Sequence, residues 1–149
     1  MRRRIRQFER GNAMLEFALA FSFLFSLFTG VFQFGYTYYV YNNLVTAARS
    51  GARYASLRTF DSATGTPSTA YTDAVRNMTV YGDPSGGSQP VAPGLSSANV
   101  SLQVDTSNNV PRSVTVGISN YKIDAVFSSF TFNKPKVTFA YVGRYAPNE

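Results

Sequence analysis

From Phe17 to Ala48 the chain carries neither a charged residue nor a proline. A run of this length has few places to go. A helix needs ~20 residues to cross a hydrocarbon core of ~30 Å, so residues Ala13 to Phe34 suffice. Phe, Leu and Ala dominate the run, and Tyr36, Tyr38, Tyr39 and Tyr41 cluster at its end. Tyrosine favours the membrane–water boundary, where its ring is apolar and its hydroxyl wet. The pattern predicts a membrane-spanning helix over about residues 13–36.

The helical signal continues past that boundary. Val40, Leu44, Ala48, Ala52 and Ala55 recur at spacings of three and four, which makes an apolar stripe. Arg49 and Arg53 lie four apart on a different face. A single helix from about Asn12 to about Leu57, within a region 12–58, would be roughly 70 Å long. Its outer half then needs a folded domain to cover the stripe.

The formal charge of +6 is unevenly placed. Residues 1–11 hold Arg2, Arg3, Arg4, Arg6 and Arg10 against Glu9, whereas the remainder is nearly balanced. No basic cluster falls on a candidate folded face, which argues against nucleic-acid binding. Arginines before the span outnumber those after it (Arg49, Arg53, Arg58). That bias predicts a cytoplasmic N-terminus and an exported body. A secretory signal peptide, with its 7–15-residue apolar core, is the rival reading; this run is about twice as long.

Glu16 stands out near the beginning of the apolar run. A carboxylate in a membrane helix costs ~3 kcal/mol at the centre and less toward an end, so it needs a partner or a position at the headgroups. If the chain is cut after Gly11, Asn12 carries a free amine and Glu16 becomes the fifth residue. In a stack of helices the amine of one subunit can meet the carboxylate of the next. Such a pair offsets its shared desolvation only when the geometry is good, so it would select one axial register.

An arginine-rich leader, a glycine, four residues, Glu-Phe and a long apolar helix resemble the class III signal of type IV pilins. The run GNAMLEFALAFSFLFSLFTGVFQFG followed by AARSGARYAS resembles the TadE-like family of tight-adherence (Tad/Flp) pilus systems. The matching positions are Gly11, Glu16-Phe17-Ala18-Leu19 and Ala48-Arg49-Ser50-Gly51-Ala52-Arg53-Tyr54-Ala55. The resemblance implies a minor pseudopilin with a cleaved leader over residues 1–11, processed at Gly11 and Asn12 by a prepilin peptidase. Glu16 and Phe17 would set subunit register, and Ala48, Arg49, Gly51, Ala52, Arg53 and Tyr54 would form the family motif. Implied partners are that peptidase, other pilins or pseudopilins through helix stacking, and the inner-membrane pilus platform. The implied location is the bacterial inner membrane, N-terminus inside and C-terminal domain periplasmic or extracellular, or the pilus itself. An uncleaved single-pass envelope-anchored binding protein and a major structural filament subunit are the alternatives.

Residues 59–149 read as a small α+β domain. Thr59–Thr69 is small and polar, which predicts a linker or loop. Ala70, Ala74, Val75, Met78 and Tyr81 predict a short amphipathic helix over residues 69–81, capped by Ser68 or Thr69. The glycine-, proline- and serine-rich stretch 82–99 predicts a long surface loop. Val100, Leu102 and Val104 alternate with polar residues, as do Val114, Val116 and Ile118, and then Val137, Phe139 and Tyr141. Asn108-Asn109 suits a hairpin turn. Phe127, Phe130 and Phe132 are expected to cover an edge or an interface. The expected fold is α+β: a long N-terminal pilin-like helix packed on a small antiparallel sheet, with one short extra helix.

There is no histidine and no cysteine, which removes the usual general base, thiolate metal sites and disulfides. Asp61, Asp73, Asp83, Asp105 and Asp124 are scattered, and no serine has a recognisable activating partner. Asp83-Pro84-Ser85-Gly86-Gly87 lacks the run of oxygen ligands calcium needs and reads as a turn. The sequence predicts no enzyme and no cofactor.

Overall fold

The computed structural model describes residues 2–124 and 129–147, with side chains described from Gly11 onward. Phe127 and the leader arginine side chains lie outside that set. The chain divides into two compact units, Met1–Thr37 and Tyr38–Glu149. The fold is α+β: helix α1 (Arg2–Leu57), helix α2 (Thr69–Tyr81), a 3-10 turn at Ser97–Asn99, and strands β1 (Val100–Ser107), β2 (Val110–Ile118), β3 (Tyr121–Asp124), β4 (Ser129–Phe132) and β5 (Lys136–Ala140).

In the first unit α1 begins at Arg2, ahead of the expected Asn12. Arginine is a good helix former, and one glycine costs only ~1 kcal/mol in a helix interior, so the uncut backbone winds through Gly11. From Gly11 to Phe28 every residue is exposed. The hydroxyls on this stretch are satisfied within the helix: Ser22, Ser26 and Thr29 donate to the carbonyls of Ala18, Ser22 and Phe25 at 2.8–2.9 Å. A polar group without a partner in an apolar medium costs several kcal/mol, so this arrangement suits hydrocarbon. Phe17, Phe21 and Phe25 stack in series along one side, with centroids 6.0 and 6.1 Å apart.

In the second unit the predicted stripe is the buried face. Val40, Leu44, Ala48, Ala52 and Ala55 are all within the core, joined by Ala47 and Gly51. They share one hydrophobic cluster with Tyr71, Val75 and Val80 of α2 and with Val100, Val114, Val116 and Ile118 of the sheet. No charged residue occupies the last turn of α1 to complement its free carbonyls, so one local bond and two tertiary ones satisfy them instead. The Tyr71 hydroxyl donates to Ala55 O, Arg58 N to Tyr54 O, and Val142 N to Ser56 O.

Ser68 caps α2 as expected, its hydroxyl accepting from Tyr71 N at 3.0 Å, and Gly82 closes the helix in the left-handed conformation (φ 75°). The buried face is rotated from the predicted one. Ala74 and Val75 are buried, but Tyr71, Thr79 and Val80 take the places expected of Ala70, Met78 and Tyr81. The Thr79 hydroxyl turns back onto Val75 O at 2.8 Å, so a polar residue fits a tight helix contact without an unmet bond.

The sheet order is β1-β2-β5, all antiparallel, with Val100, Leu102 and Val104 opposite Ile118, Val116 and Val114. Asn108 and Asn109 adopt φ values of 53° and 62°, the two positive-φ residues that a two-residue hairpin turn demands. Beside it β3 and β4 form a separate hairpin, so Phe130 and Phe132 are strand residues, and Phe132 packs against the core. Tyr141 falls just beyond β5, and its hydroxyl is consumed by the backbone.

Both stretches read as loops are loops, and each is pinned to the domain. The polar stretch 59–69 is a loop rather than a free linker, because Phe60 within it is fully buried. Its ring meets Tyr71, Tyr141 and Tyr145 at 5.6, 6.3 and 6.2 Å. The stretch 82–99 is exposed for much of its length, but Ala92 and Leu95 are buried and Val91 N bonds Val80 O at 2.8 Å, so it is pinned to the domain. Asp83 makes an ordinary Asx turn, accepting from Ser85 N at 2.8 Å.

Candidate assembly helix

On the first unit, Gly11, Asn12, Glu16 and Phe17 are all exposed. Asn12 and Glu16 stand one helical turn apart. Glu16 has no ion-pair partner among the described residues. Met14, Leu15, Phe17 and Leu19 around it are also exposed, so the carboxylate sits on a bare apolar surface. Gly11 has open space where a side chain would go, and none of the described residues crowds that position.

The Gly11–Leu57 stretch of α1 is long and apolar enough to cross a membrane, and none of its most apolar window is buried within the molecule. A monomeric soluble protein rarely leaves such a contiguous apolar surface uncovered.

On the second unit the motif splits into two faces. Ala48, Gly51 and Ala52 point into the core, and Gly51 lies directly against Thr79 of α2. Small residues three and four apart let two helices approach closely, so the motif's alanines and glycine are packing residues. Arg49 and Arg53 lie on the exposed side and form no salt bridge among the described residues. That matches the separate face read from their spacing.

Tyr54 is half-buried and works with Arg58, Tyr71 and Tyr141, which the family motif does not include. Arg58 donates to the Tyr54 hydroxyl at 2.6 Å, and its guanidinium stands 5.8 and 5.9 Å from the centres of the Tyr54 and Tyr71 rings. The Tyr141 hydroxyl receives Phe60 N at 2.8 Å and donates toward Arg58 O and Arg144 O at 2.7 and 2.9 Å. Burial, reinforced by Tyr141 and Asp61, pushes the Tyr71 hydroxyl well above its ordinary value, with Arg58 pulling the other way. Burial also raises Tyr141. This cluster fixes the end of α1 to the C-terminal segment. Its only sequence signal was the density of tyrosines near residues 54, 71 and 141, which periodicity cannot assign.

No grouping of metal-ligating side chains occurs among the described residues. A cleft of about 120 Å³ lies between α1 and α2, lined by Asn43, Ala47, Met78 and Val91 among others. It is mostly apolar and has no titratable group.

No curated protein and no solved structure matches the chain at a significant level. Residues 11–53 match the family model described as TadE-like protein, and they span the Glu16 segment and most of the Ala48–Tyr54 motif. The family the sequence resembles is therefore the family whose model it matches, and this TadE-like segment, carried on an apolar helix long enough to anchor in a membrane, fits a protein associated with a Tad pilus system.

Proposed function

We propose that the chain is a minor pseudopilin of a Tad-type pilus system, not an enzyme. It inserts with its N-terminus in the cytoplasm, and a prepilin peptidase cuts between Gly11 and Asn12. The product is drawn into a helical stack beside other pilins or pseudopilins at the inner-membrane platform. The domain over residues 38–149 then faces outward. Glu16 is the observation that carries this reading. It is an exposed carboxylate on an otherwise apolar helix face, one turn from the residue that cleavage would make the N-terminus. The new ammonium of a neighbouring subunit is the natural partner for it, because an unpaired charge in hydrocarbon is costly.

Shear fractionation of the producing cells tests the reading. A minor pseudopilin is recovered in the sheared surface fraction or co-purifies with the pilus machinery. Recovery only as an isolated inner-membrane protein, with no associated pilus component, contradicts it. The unbroken helix through Gly11 and Asn12 favours a second reading, an uncleaved single-pass anchor, since a peptidase must unwind the turn it cuts.

A further inference from the structure

The β3–β4 hairpin packs beside the start of the domain-facing part of α1, where Phe132 meets Tyr41. Its two faces are unlike. Tyr121 and Ile123 are buried and pair across the hairpin with Phe132 and Phe130, whereas Lys122, Asp124, Ser129 and Thr131 line the other side and are exposed. Phe132 is partly covered, and its ring lies 6.3 Å from Tyr41 of α1. Phe130, two residues further along the same face, is 44% exposed, although its strand partner Ile123 is in the core.

The hairpin's position follows from its anchors. At its base the Tyr121 hydroxyl donates to Pro93 O at 2.5 Å. Pro93 is two residues beyond Val91, which lines the cleft with Asn43 and Ala47. The neighbouring base residue, Phe132, meets Tyr41. The Phe132–Tyr41 contact therefore puts this hairpin face beside the start of the domain-facing part of α1, where Val40 is the first buried residue. Tyr38 and Tyr39 lie there, 69% and 61% exposed.

We propose that Phe130 and the adjoining β4 edge, together with Tyr38 and Tyr39, form one aromatic surface that sits in the headgroup zone of a phospholipid bilayer. A single exposed phenylalanine needs no explanation. This one shares a hairpin face with Phe132, whose ring meets Tyr41 of the tyrosine cluster on α1, and aromatic rings are favoured at the membrane–water boundary. Lys122 and Asp124 neutralise each other at 3.1 Å, so the hairpin brings no net charge toward the lipid. Lys134 just beyond β4 is exposed and has a stem long enough to reach headgroup phosphates. The contact would fix how the domain stands on the bilayer before the subunit is extracted. The inference rests on α1 spanning the membrane, and its test separates the two.

The chain has no cysteine, so one introduced thiol labels uniquely. Full-length protein in phosphatidylcholine–phosphatidylglycerol vesicles, carrying a fluorophore at Phe25→Cys, Phe130→Cys or Gln103→Cys, is exposed to lipid-borne quenchers and to aqueous iodide. The expected result is deep lipid quenching at 25, shallow lipid quenching at 130, and iodide quenching alone at 103. Absence of lipid quenching at 25 sinks the spanning helix and this contact with it. Quenching at 25 with only iodide quenching at 130 overturns the hairpin contact alone. Shielding of 130 from both quenchers indicates a protein neighbour, such as a second copy, and also overturns it. Because Phe130→Cys removes a packed ring, unsubstituted protein with photoactivatable lipid supplies an independent readout. Lipid adducts on residues 129–132 support the contact, and their absence contradicts it.

Discussion

Gly51 of α1 faces Thr79 of α2 with no room for a side chain between them: a Cβ at position 51 would overlap the Thr79 hydroxyl. The small residues of the Ala48–Tyr54 segment thus bring the two helices together within the domain.

Gly51→Ala is expected to destabilise the domain despite alanine's better helix propensity. Propensity gains up to about 1 kcal/mol, whereas overpacking costs roughly 1–3 kcal/mol. Thr79→Ala in the same chain removes the overlapping oxygen and should restore part of the loss. Urea unfolding of the single and double variants reads the coupling; simple additivity would contradict the packing account.

Phe60→Ala should cost about 3–5 kcal/mol, as for other buried aromatics. The ring is fully buried, touches three tyrosines, and closes the space between the end of α1 and the C-terminal segment. A loss below about 1 kcal/mol in thermal unfolding would show that the segment 59–69 is the simple linker its polar composition suggests.

Stability should fall at alkaline pH. The Tyr71 and Tyr141 hydroxyls are both raised by burial from their ordinary value of 10.0. Folding therefore favours their neutral forms. That contribution is fully present below the unfolded value near pH 10 and is lost as pH rises above it. Tyr71→Phe removes the bond to Ala55 O, costs about 1 kcal/mol near neutrality, and flattens the alkaline decline. An unchanged pH profile in that variant would remove Tyr71 as its source.

At the N-terminus, Gly11→Val should block leader removal, since no contact among the described residues accounts for the glycine. Glu16→Ala should leave cleavage intact and reduce incorporation into the pilus machinery. Immunoblotting of whole-cell and sheared fractions separates the two effects. Normal incorporation of Glu16→Ala would remove its register role.

Long periodic elements were legible from sequence, and short or aperiodic ones were not. The stripe Val40–Ala55 is buried as its spacing predicts, because one helix face keeps its register over many turns. The β1–β2 pairing followed from strict alternation and from Asn108-Asn109, which tolerate positive φ. On α2 the period was right but the face was not. Thr79 and Tyr71 can be buried because each hydroxyl finds a carbonyl, which no hydropathy pattern records. Phe60 was hidden by polar neighbours, and β3, at four residues, is too short to show a period. At the candidate site, Glu16 was conspicuous as a charge in an apolar run, whereas Gly51's role needed the partner helix.

The central claim is that Asn12 becomes an N-terminus whose amine neutralises Glu16 on a neighbouring subunit. Intact-mass measurement of the protein from its native host tests it most directly. The account predicts a chain lacking residues 1–11 and beginning at Asn12; a functional chain that retains Met1–Gly11 would contradict it.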